Sequence, residues 1–148
     1  MRPRSIVLQL PALCALAAVA ATLLAGCGGA GGGAALGSVV NIGEADFRIS
    51  GPAQVKAGKV LLKVANQGPD QHELIVVRSS GSRLPLRSDG LTVDEEALKR
   101  AEPGSLEPGQ PDAVRELSVQ LLPGHYVLFC NMEGHYLGGM HHQIVVSR

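Results

Sequence analysis

Apolar and polar residues alternate in several segments of the chain after residue 38, and this period of two predicts short β-strands. In residues 115–122, for example, Leu117, Val119 and Leu121 alternate with polar side chains. Pro-Gly and Gly-Pro pairs between the alternating segments mark turns. The predicted strands cover residues 39–50, 60–66, 72–77, 115–122, 126–130 and 141–146. Short strands separated by turns are typical of a Greek-key β-sandwich, so we expect an all-β fold.

Residues 79–114 interrupt this pattern with a long excursion that is rich in Gly, Pro, Ser and charged residues. Within it, Thr92 and Glu95 have the spacing of a capping box, which predicts the start of a helix. Pro103 and Gly104 would end that helix. We therefore expect one short helix in the excursion, which would bridge the two sheets of the sandwich.

The first 26 residues have the pattern of a secretory signal peptide. Arg2 and Arg4 precede an apolar run at residues 6–24, and small residues follow it. The sequence Leu-Ala-Gly-Cys that ends at Cys27 resembles a bacterial lipobox, in which the cysteine becomes the lipid anchor. An uncleaved transmembrane anchor is the alternative, because the apolar run is just long enough to span a bilayer. Both interpretations place the domain outside the cytoplasm, on the periplasmic or extracellular side of a membrane.

The chain of 148 residues therefore divides into three predicted segments. Residues 1–26 form the signal peptide, residues 27–37 the lipidated cysteine and a flexible Gly/Ala-rich tether, and residues 38–148 one folded domain. The whole chain carries 13 basic and 13 acidic residues, which provides no electrostatic footprint for nucleic acid. We expect the domain to be a monomer.

Cysteine usage points to a special role for Cys130. Cys14 lies in the predicted signal peptide and Cys27 is the predicted lipid anchor, so Cys130 is the remaining thiol of an exported domain. A disulfide within the domain is therefore excluded. A lone thiol in an oxidising compartment is either buried and inert or protected by a bound metal.

The residues around Cys130 favour a metal. Cys130, His135 and Met140 follow one another at five-residue intervals between two predicted strands, and three glycines in this segment allow sharp turns. We call residues 130–140 the ligand loop. His72 is the best fourth ligand, because it follows a Gly-Pro turn at the start of a predicted strand, where a sheet can hold it in position.

The chemistry of these four side chains favours copper. One thiolate and two imidazoles suit copper or zinc, and a weak thioether as the additional ligand is typical of blue-copper sites. Zinc sites in small domains usually have paired Cys or His spacings or an open position for water. A saturated site suits single-electron transfer, because the metal can gain or lose an electron with little rearrangement.

The chain also resembles the cupredoxins, the plastocyanin and azurin family. The matching positions are Val55-Lys56-Ala57-Gly58 before a strand, Asn66 ahead of His72, Tyr126 ahead of Cys130, and Gly134-His135. The spacing of Cys, His and Met in the ligand loop is similar to that of rusticyanin and the sulfocyanin-like proteins. This resemblance covers residues 39–148 and implies a cupredoxin-type Greek-key β-sandwich.

The resemblance implies a function and a ligand set. His72, Cys130 and His135 would bind one mononuclear type 1 copper in a plane, with Met140 on the axis. The protein would be an electron carrier rather than an enzyme, and it would meet redox partners by weak, transient contact at an apolar patch of Leu137 and its neighbouring glycines around His135.

Two positions depart from the family pattern. Many cupredoxins have Asn or Ser after the first His, bonded across to the Cys loop, whereas this chain has Glu73. Glu73 would lower the reduction potential if it were buried, or it could point to solvent. His141 follows Met140 directly, so a shift in register could place an imidazole on the metal instead. Strand alternation favours Met140, because His141 would then face the other side.

Other functions remain open at this point. A copper carrier or buffer would use similar ligands but release the metal, and the domain could be an accessory module of a respiratory oxidase. A cysteine hydrolase would use Cys130 as nucleophile with His135 or His72 as base. The position of Cys130 at the end of a strand, away from a helix N-terminus, disfavours the hydrolase.

Overall fold

Residues 37–81 and 83–148 are described by the computed structural model, and they form nine strands and one short helix. The predicted signal peptide, the predicted lipidated Cys27 and most of the predicted tether lie outside the described residues. The strands, in chain order, are β1 (Ser38–Ala45), β2 (Arg48–Ser50), β3 (Gln54–Lys56), β4 (Gly58–Asn66), β5 (His72–Arg78), β6 (Gly104–Gly109), β7 (Val114–Leu121), β8 (Gly124–Phe129) and β9 (His141–Ser147).

The strands form two sheets that enclose a common apolar core. One sheet has four strands in the order β2-β1-β4-β7, and the other has five in the order β3-β9-β8-β5-β6. Buried side chains from both sheets pack together between them. Every segment predicted to be a strand contains one, so the predicted all-β sandwich is confirmed.

Two details of the strand prediction were wrong. Residues 39–50 form a hairpin rather than one strand, because Asp46 and Phe47 make a two-residue turn between β1 and β2. The strands β3 and β6 were not predicted, and both lie at sheet edges. Their sequences carry weak strand signals, since β3 has three residues and β6 contains Pro108, a residue that only an edge strand or a bulge tolerates.

The excursion contains the predicted short helix, but its cap is different. The helix α1 spans Glu95–Leu98 and continues as a 3₁₀ turn at Lys99–Ala101, before the predicted Pro-Gly stop. Asp94, not Thr92, is the N-cap, and its carboxylate accepts a backbone hydrogen bond from the first turn at 3.2 Å. The hydroxyl of Thr92 donates instead to Asp89, at 3.3 Å. No helix in the described part of the chain is long and apolar enough to cross a membrane.

The excursion, residues 79–114, connects the two sheets as expected, but its helix is not the connecting part. It leaves the five-stranded sheet after β5 and returns to the same sheet as β6, which pairs with β5. Within the excursion, the chain crosses to the four-stranded sheet after β6, in the connection to β7.

Alternation along β8 decides that the thiol of Cys130 faces the interior. Tyr126 and Leu128 belong to the core between the sheets, and Cys130 continues their series one step beyond the strand. Val127 and Phe129 point to the opposite face, where they pack against the excursion. Since both faces of β8 are covered, the strand that leads to Cys130 is buried on both sides.

Hydrogen bonds of the Asn131 side chain link the ligand loop to the excursion. Its Oδ1 accepts a hydrogen bond from the backbone N–H of Val93 at 2.5 Å, and its Nδ2 donates to the carbonyl of Val93 at 3.1 Å and to Glu95 at 2.6 Å. The hydroxyl of Tyr136, also in the ligand loop, accepts from the backbone N–H of Leu84 at 2.9 Å. These hydrogen bonds attach the ligand loop to the excursion.

A buried ion pair joins two strands of the four-stranded sheet. The side chain of Glu44 in β1 is fully buried, and Arg115 of β7 donates to its carboxylate at 2.5 Å. Arg115 also donates to the backbone carbonyl of Glu107 in β6. Burial raises the pKa of Glu44, and the charge of Arg115 opposes this rise. The pair therefore depends on Arg115 to keep a buried carboxylate compensated.

Removing the cation of this pair should destabilise the fold strongly at neutral pH. Arg115→Met leaves the Glu44 carboxylate buried without a counter-charge, so we expect the free energy of unfolding at pH 7 to fall by about 3 to 5 kcal/mol. Because the pKa of Glu44 is already raised when folded, ionisation costs stability as pH rises above its ordinary value of 4.5. The loss in the variant should therefore shrink on acidification toward that pH.

Denaturant unfolding at several pH values measures both effects. Lys63→Met is the matched control, because Lys63 pairs with Glu116 at 3.3 Å on the exposed surface, where such a pair contributes at most about 1 kcal/mol. Equal losses for the two variants at pH 7 would contradict the assigned role of the buried pair.

Removing the side chain of Asn131 should loosen the excursion. Asn131→Ala leaves the N–H and carbonyl of Val93 without their partner, and we expect a loss of about 1 to 3 kcal/mol in the free energy of unfolding. Faster amide hydrogen exchange at Val93 should accompany it. Asn41→Ala, at an exposed position of β1, is the control, and unchanged exchange at Val93 in Asn131→Ala would refute the anchoring role.

Candidate metal centre

The antiparallel pairing of β5 with β8 brings two of the predicted ligands to the same end of one sheet. His72 is the first residue of β5, and Cys130 follows the last residue of β8. The turn before His72 is organised by Asn66, whose Nδ2 donates to the carbonyls of Asp70 and Gly109 at 2.7 and 3.1 Å. Asn66 was a matching position of the family pattern, and it fixes the approach to the first ligand.

The ligand loop folds back on itself and brings His135 beside Cys130. The backbone N–H of His135 donates to the carbonyl of Met132 at 2.9 Å, and that of Met140 donates to the carbonyl of His135 at 3.0 Å. Gly134 and Gly139 adopt positive φ angles of 79° and 104°, which side-chain-bearing residues rarely adopt. The sharp turns that the glycines predicted are therefore present.

The structure brings His72, Cys130 and His135 together. One potential ligand atom from each of them lies within 4.8 Å of the others. The Sγ of Cys130 is 3.5 Å from Nδ1 of His135, and the two imidazole rings are 5.3 Å apart between centroids. His72 and Cys130 are fully buried, whereas His135 is half-buried.

Met140 and His141 take different directions from the end of the loop. Met140 is fully buried and belongs to the same core cluster as Cys130, to which its carbonyl is linked by a 3.2 Å hydrogen bond from the Cys130 N–H. The ring of His141 lies 5.3 Å from that of Tyr136. Met132, which we did not expect to be a ligand, is partly buried against the core.

The two ring nitrogens of His72 have different surroundings. Its Nε2 is 3.2 Å from Oδ1 of Asp46, and its Nδ1 is buried without a hydrogen-bond partner among the described residues. Burial and the neighbouring His135 lower the pKa of His72, an effect that Asp46 opposes. A neutral imidazole with a free nitrogen is the form that binds metals.

The environment of Cys130 does not activate its thiol as a nucleophile. Burial raises the pKa of its thiol, and hydrogen bonds from the backbone oppose this rise only in part. Nucleophilic cysteines have lowered pKa values and lie near cations or helix N-termini. Cys130 instead ends a strand, which argues against the cysteine hydrolase.

Glu73 bonds across to the ligand loop, as the Asn or Ser of many cupredoxins does. Its Oε1 accepts a hydrogen bond from the backbone N–H of Asn131 at 2.8 Å. Burial raises the pKa of Glu73, and this hydrogen bond opposes the rise. Of the two possibilities left open by the sequence, the structure has the carboxylate turned inward.

Several residues at the centre were not predicted from the sequence. Asp46 contacts His72, the ring of Phe47 lies 5.5 Å from that of His135, and Asn131 fixes the loop from outside. An aspartate in the middle of a predicted strand is a turn signal that could have revealed the β1–β2 hairpin. Its proximity to His72, 26 positions along the chain, has no sequence signal.

The sequence matches no family model and no curated relative. The fold, however, is similar to that of several solved structures. Auracyanin from Roseiflexus castenholzii is similar at a TM-score of 0.60 and 17% identity, over 75% of this chain and 98% of that chain. Auracyanin A, a "blue" copper protein from Chloroflexus aurantiacus, has a TM-score of 0.56 and 18% identity, over 74% and 98%. Rusticyanin from Thiobacillus ferrooxidans has a TM-score of 0.55 and 14% identity, over 76% and 79%. The described chain therefore has the cupredoxin fold.

Proposed function

We propose that this protein is a type 1 blue copper protein that transfers single electrons between redox partners. The observation that carries the proposal is the convergence of His72, Cys130 and His135, whose donor atoms lie within 4.8 Å of one another at one end of a cupredoxin sandwich. Met140, which is buried in the same cluster as Cys130, would supply a weak thioether ligand. The same set of donor types is typical of blue-copper sites.

The surroundings of the donor atoms and their softness also suit a bound copper ion. The buried Nδ1 of His72 lacks a hydrogen-bond partner among the described residues, which is costly unless the nitrogen binds something else. The buried thiol and thioether are soft ligands that suit copper. When bound, copper supplies a one-electron couple between Cu(I) and Cu(II).

The chain holds these donors in a fixed arrangement. His72 and Cys130 lie at the ends of paired strands, and the ligand loop is tied to the excursion by Asn131 and Tyr136. Rigid supports of this kind keep ligand geometry constant when the charge of a site changes. Glu73 accepts a hydrogen bond from Asn131, the residue after Cys130, and in its ionised form would favour the more positive oxidation state of a bound copper ion.

His135 is the route by which an electron would enter or leave. It is half-buried, unlike the other two donors. Leu137 and Phe47 beside it are about half exposed, at 52% and 53%, and form an apolar patch with Gly138, on which the ring of Phe47 rests. A small apolar patch suits the weak, brief encounters of electron-transfer partners.

The proposed location is the exported face of a membrane, with the domain anchored through lipidated Cys27. The signal-peptide pattern of residues 1–26 and the lipobox-like sequence support this location. The Gly/Ala-rich tether would let the domain reach partners along the membrane surface.

Adding Cu(II) to the metal-free protein tests the proposal directly. We expect an intense visible absorption from the thiolate-to-copper transition, with a stoichiometry of one copper, and its loss in Cys130→Ser. Met140→Leu should keep the band with a shifted maximum and a raised reduction potential, because the weak axial ligand tunes the site without holding it. Met132→Leu is the matched thioether control and should leave the spectrum unchanged. Absence of the band in the unaltered protein would eliminate the blue-copper assignment.

The copper carrier or buffer is distinguished by metal exchange. An electron carrier should retain Cu(I) against a competing chelator through many redox cycles, because its donors are buried and rigidly held. Ready transfer of Cu(I) to the chelator within one cycle would favour the carrier.

The apolar patch is tested by electron self-exchange between two copies of the protein, measured by NMR line broadening. Leu137→Lys places like charges opposite each other in the encounter, so we expect the self-exchange rate constant to fall by about tenfold or more at low salt. Leu122→Lys is the control, because Leu122 is a similarly exposed leucine just before β8 begins, at the end away from Cys130. A rate constant that falls equally in both variants would show that the patch is not the contact surface.

A further inference from the structure

The turn between β1 and β2 touches both imidazoles of the metal centre. Ala45 of β1 lies opposite Arg48 of β2, so Asp46 and Phe47 are the two residues of the turn. The carboxylate of Asp46 meets Nε2 of His72 at 3.2 Å, while the Phe47 ring packs near His135. Phe47 has a φ of 57°, an uncommon angle for a bulky residue, so its ring packing on the ligand loop helps to hold the turn in this shape.

The contact with Asp46 fixes where the proton of His72 lies. An ionised carboxylate only accepts hydrogen bonds, so the bond at 3.2 Å requires the proton to be on Nε2. Nδ1 then carries the lone pair. Since Nδ1 is the buried ring nitrogen without a partner among the described residues, the lone pair is on the nitrogen that is free to bind.

Gly68 leaves the space in which this contact forms. A Cβ atom at position 68 would lie 2.7 Å from Oδ1 of Asp46 and 3.0 Å from Nε2 of His72. Both distances are shorter than ordinary van der Waals contact, so a side chain there would force the two groups apart. The absence of a side chain at Gly68 therefore allows Asp46 to contact His72.

We propose that Asp46 is a positioning residue of the metal centre, which holds His72 in the Nε2-protonated form and aims Nδ1 at the donors of Cys130 and His135. Its role in the copper site rests on the function proposed above. Histidine ligands generally donate their second ring N–H to such a partner, which sets the tautomer and the ring orientation. Here the partner is a carboxylate from a sequence-distant turn.

The negative charge of Asp46 has a second consequence. An ionised Asp46 beside Nε2 of His72 would stabilise the more positively charged oxidation state of a bound copper ion. The Asp46 side chain is 38% exposed, so salt screens part of this effect. Asp46 therefore lowers the reduction potential, and more so at low ionic strength.

Three variants separate position from charge. Asp46→Ala removes the hydrogen bond and the charge, Gly68→Ala breaks the contact but keeps the charge, and Asp46→Asn keeps an acceptor while removing the charge. Asp70→Ala is the control, because Asp70 also acts on His72 electrostatically but makes no hydrogen bond to its ring that corresponds to the Asp46 contact.

The first measurement is ¹⁵N NMR of His72 in the metal-free protein at neutral pH. We expect one Nε2-protonated tautomer in the unaltered protein, in Asp46→Asn and in Asp70→Ala, and a mixture of tautomers in Asp46→Ala and Gly68→Ala. A single unchanged tautomer in Asp46→Ala would overturn the proposal.

The second measurement is Cu(II) affinity and reduction potential. Affinity should fall about 10- to 100-fold in Asp46→Ala and Gly68→Ala, and stay close to that of the unaltered protein in Asp46→Asn and Asp70→Ala. The potential of Asp46→Asn should rise, and the rise should diminish with added salt. An affinity loss in Asp46→Asn as large as that in Asp46→Ala, or a potential that does not move, would refute the assigned role.

These readouts also keep the two proposals apart. If the unaltered protein forms no visible thiolate-to-copper band, the electron-carrier function fails, while the NMR comparison still decides whether Asp46 sets the His72 tautomer. If the band forms and the variants match the unaltered protein in tautomer and affinity, the function stands and the positioning role fails.

Discussion

The pairing of β5 with β8 is the constraint on which the rest of the structure depends. Because the two strands run antiparallel, the start of β5 and the end of β8 meet at one edge, and they bring His72 and Cys130 with them. The ligand loop starts and ends at neighbouring strands, since β8 also pairs with β9, so its length and glycines need only fold His135 back toward the same point. A sheet register, rather than loop flexibility, thus sets the distance between donors that are far apart in sequence.

Burying these donors imposes a second requirement, because polar atoms removed from water need partners. The end of the sandwich that holds the centre meets it with bonds drawn from several elements. Asn66 donates a hydrogen bond to the turn before His72, and Glu73 accepts one from the backbone N–H of Asn131 in the ligand loop. Arg115 compensates the charge of the buried Glu44 carboxylate. The side chains of Asn66, Glu73 and Arg115 belong to three different strands, β4, β5 and β7, so the fold and the centre stabilise each other.

The three donor residues differ in solvent exposure, and this difference bears on the proposed electron transfer. His72 and Cys130 are fully buried, whereas His135 is half-buried beside an apolar surface. Packing around Cys130 protects the thiol from the oxidising compartment that its predicted export implies. The β1–β2 turn contributes to both sides of this arrangement, through a buried contact to His72 and an exposed aromatic ring beside His135.

The sequence by itself determined the parts of this protein that depend on local pattern. Alternation along residues 115–122 predicted a strand because β7 buries one face against the core, and the Cys, His and Met spacing predicted the ligand loop because all three lie on one continuous segment. The edge strand β6 escaped prediction, since an edge position tolerates a proline and needs little alternation. Likewise, local spacing suggested Thr92 as the helix cap, but the competing bond to Asp89 left that role to Asp94.

Only the tertiary structure decided the contacts between residues that are distant along the chain. Whether Glu73 turned toward the ligand loop or toward solvent depended on where Asn131 lay, and the partner of His72 depended on a hairpin turn 26 positions away. Such contacts are set by sheet register and by the space left at positions such as Gly68, which no local pattern encodes. The sequence therefore identified the candidate ligands, and the packing of strands around them determined their surroundings.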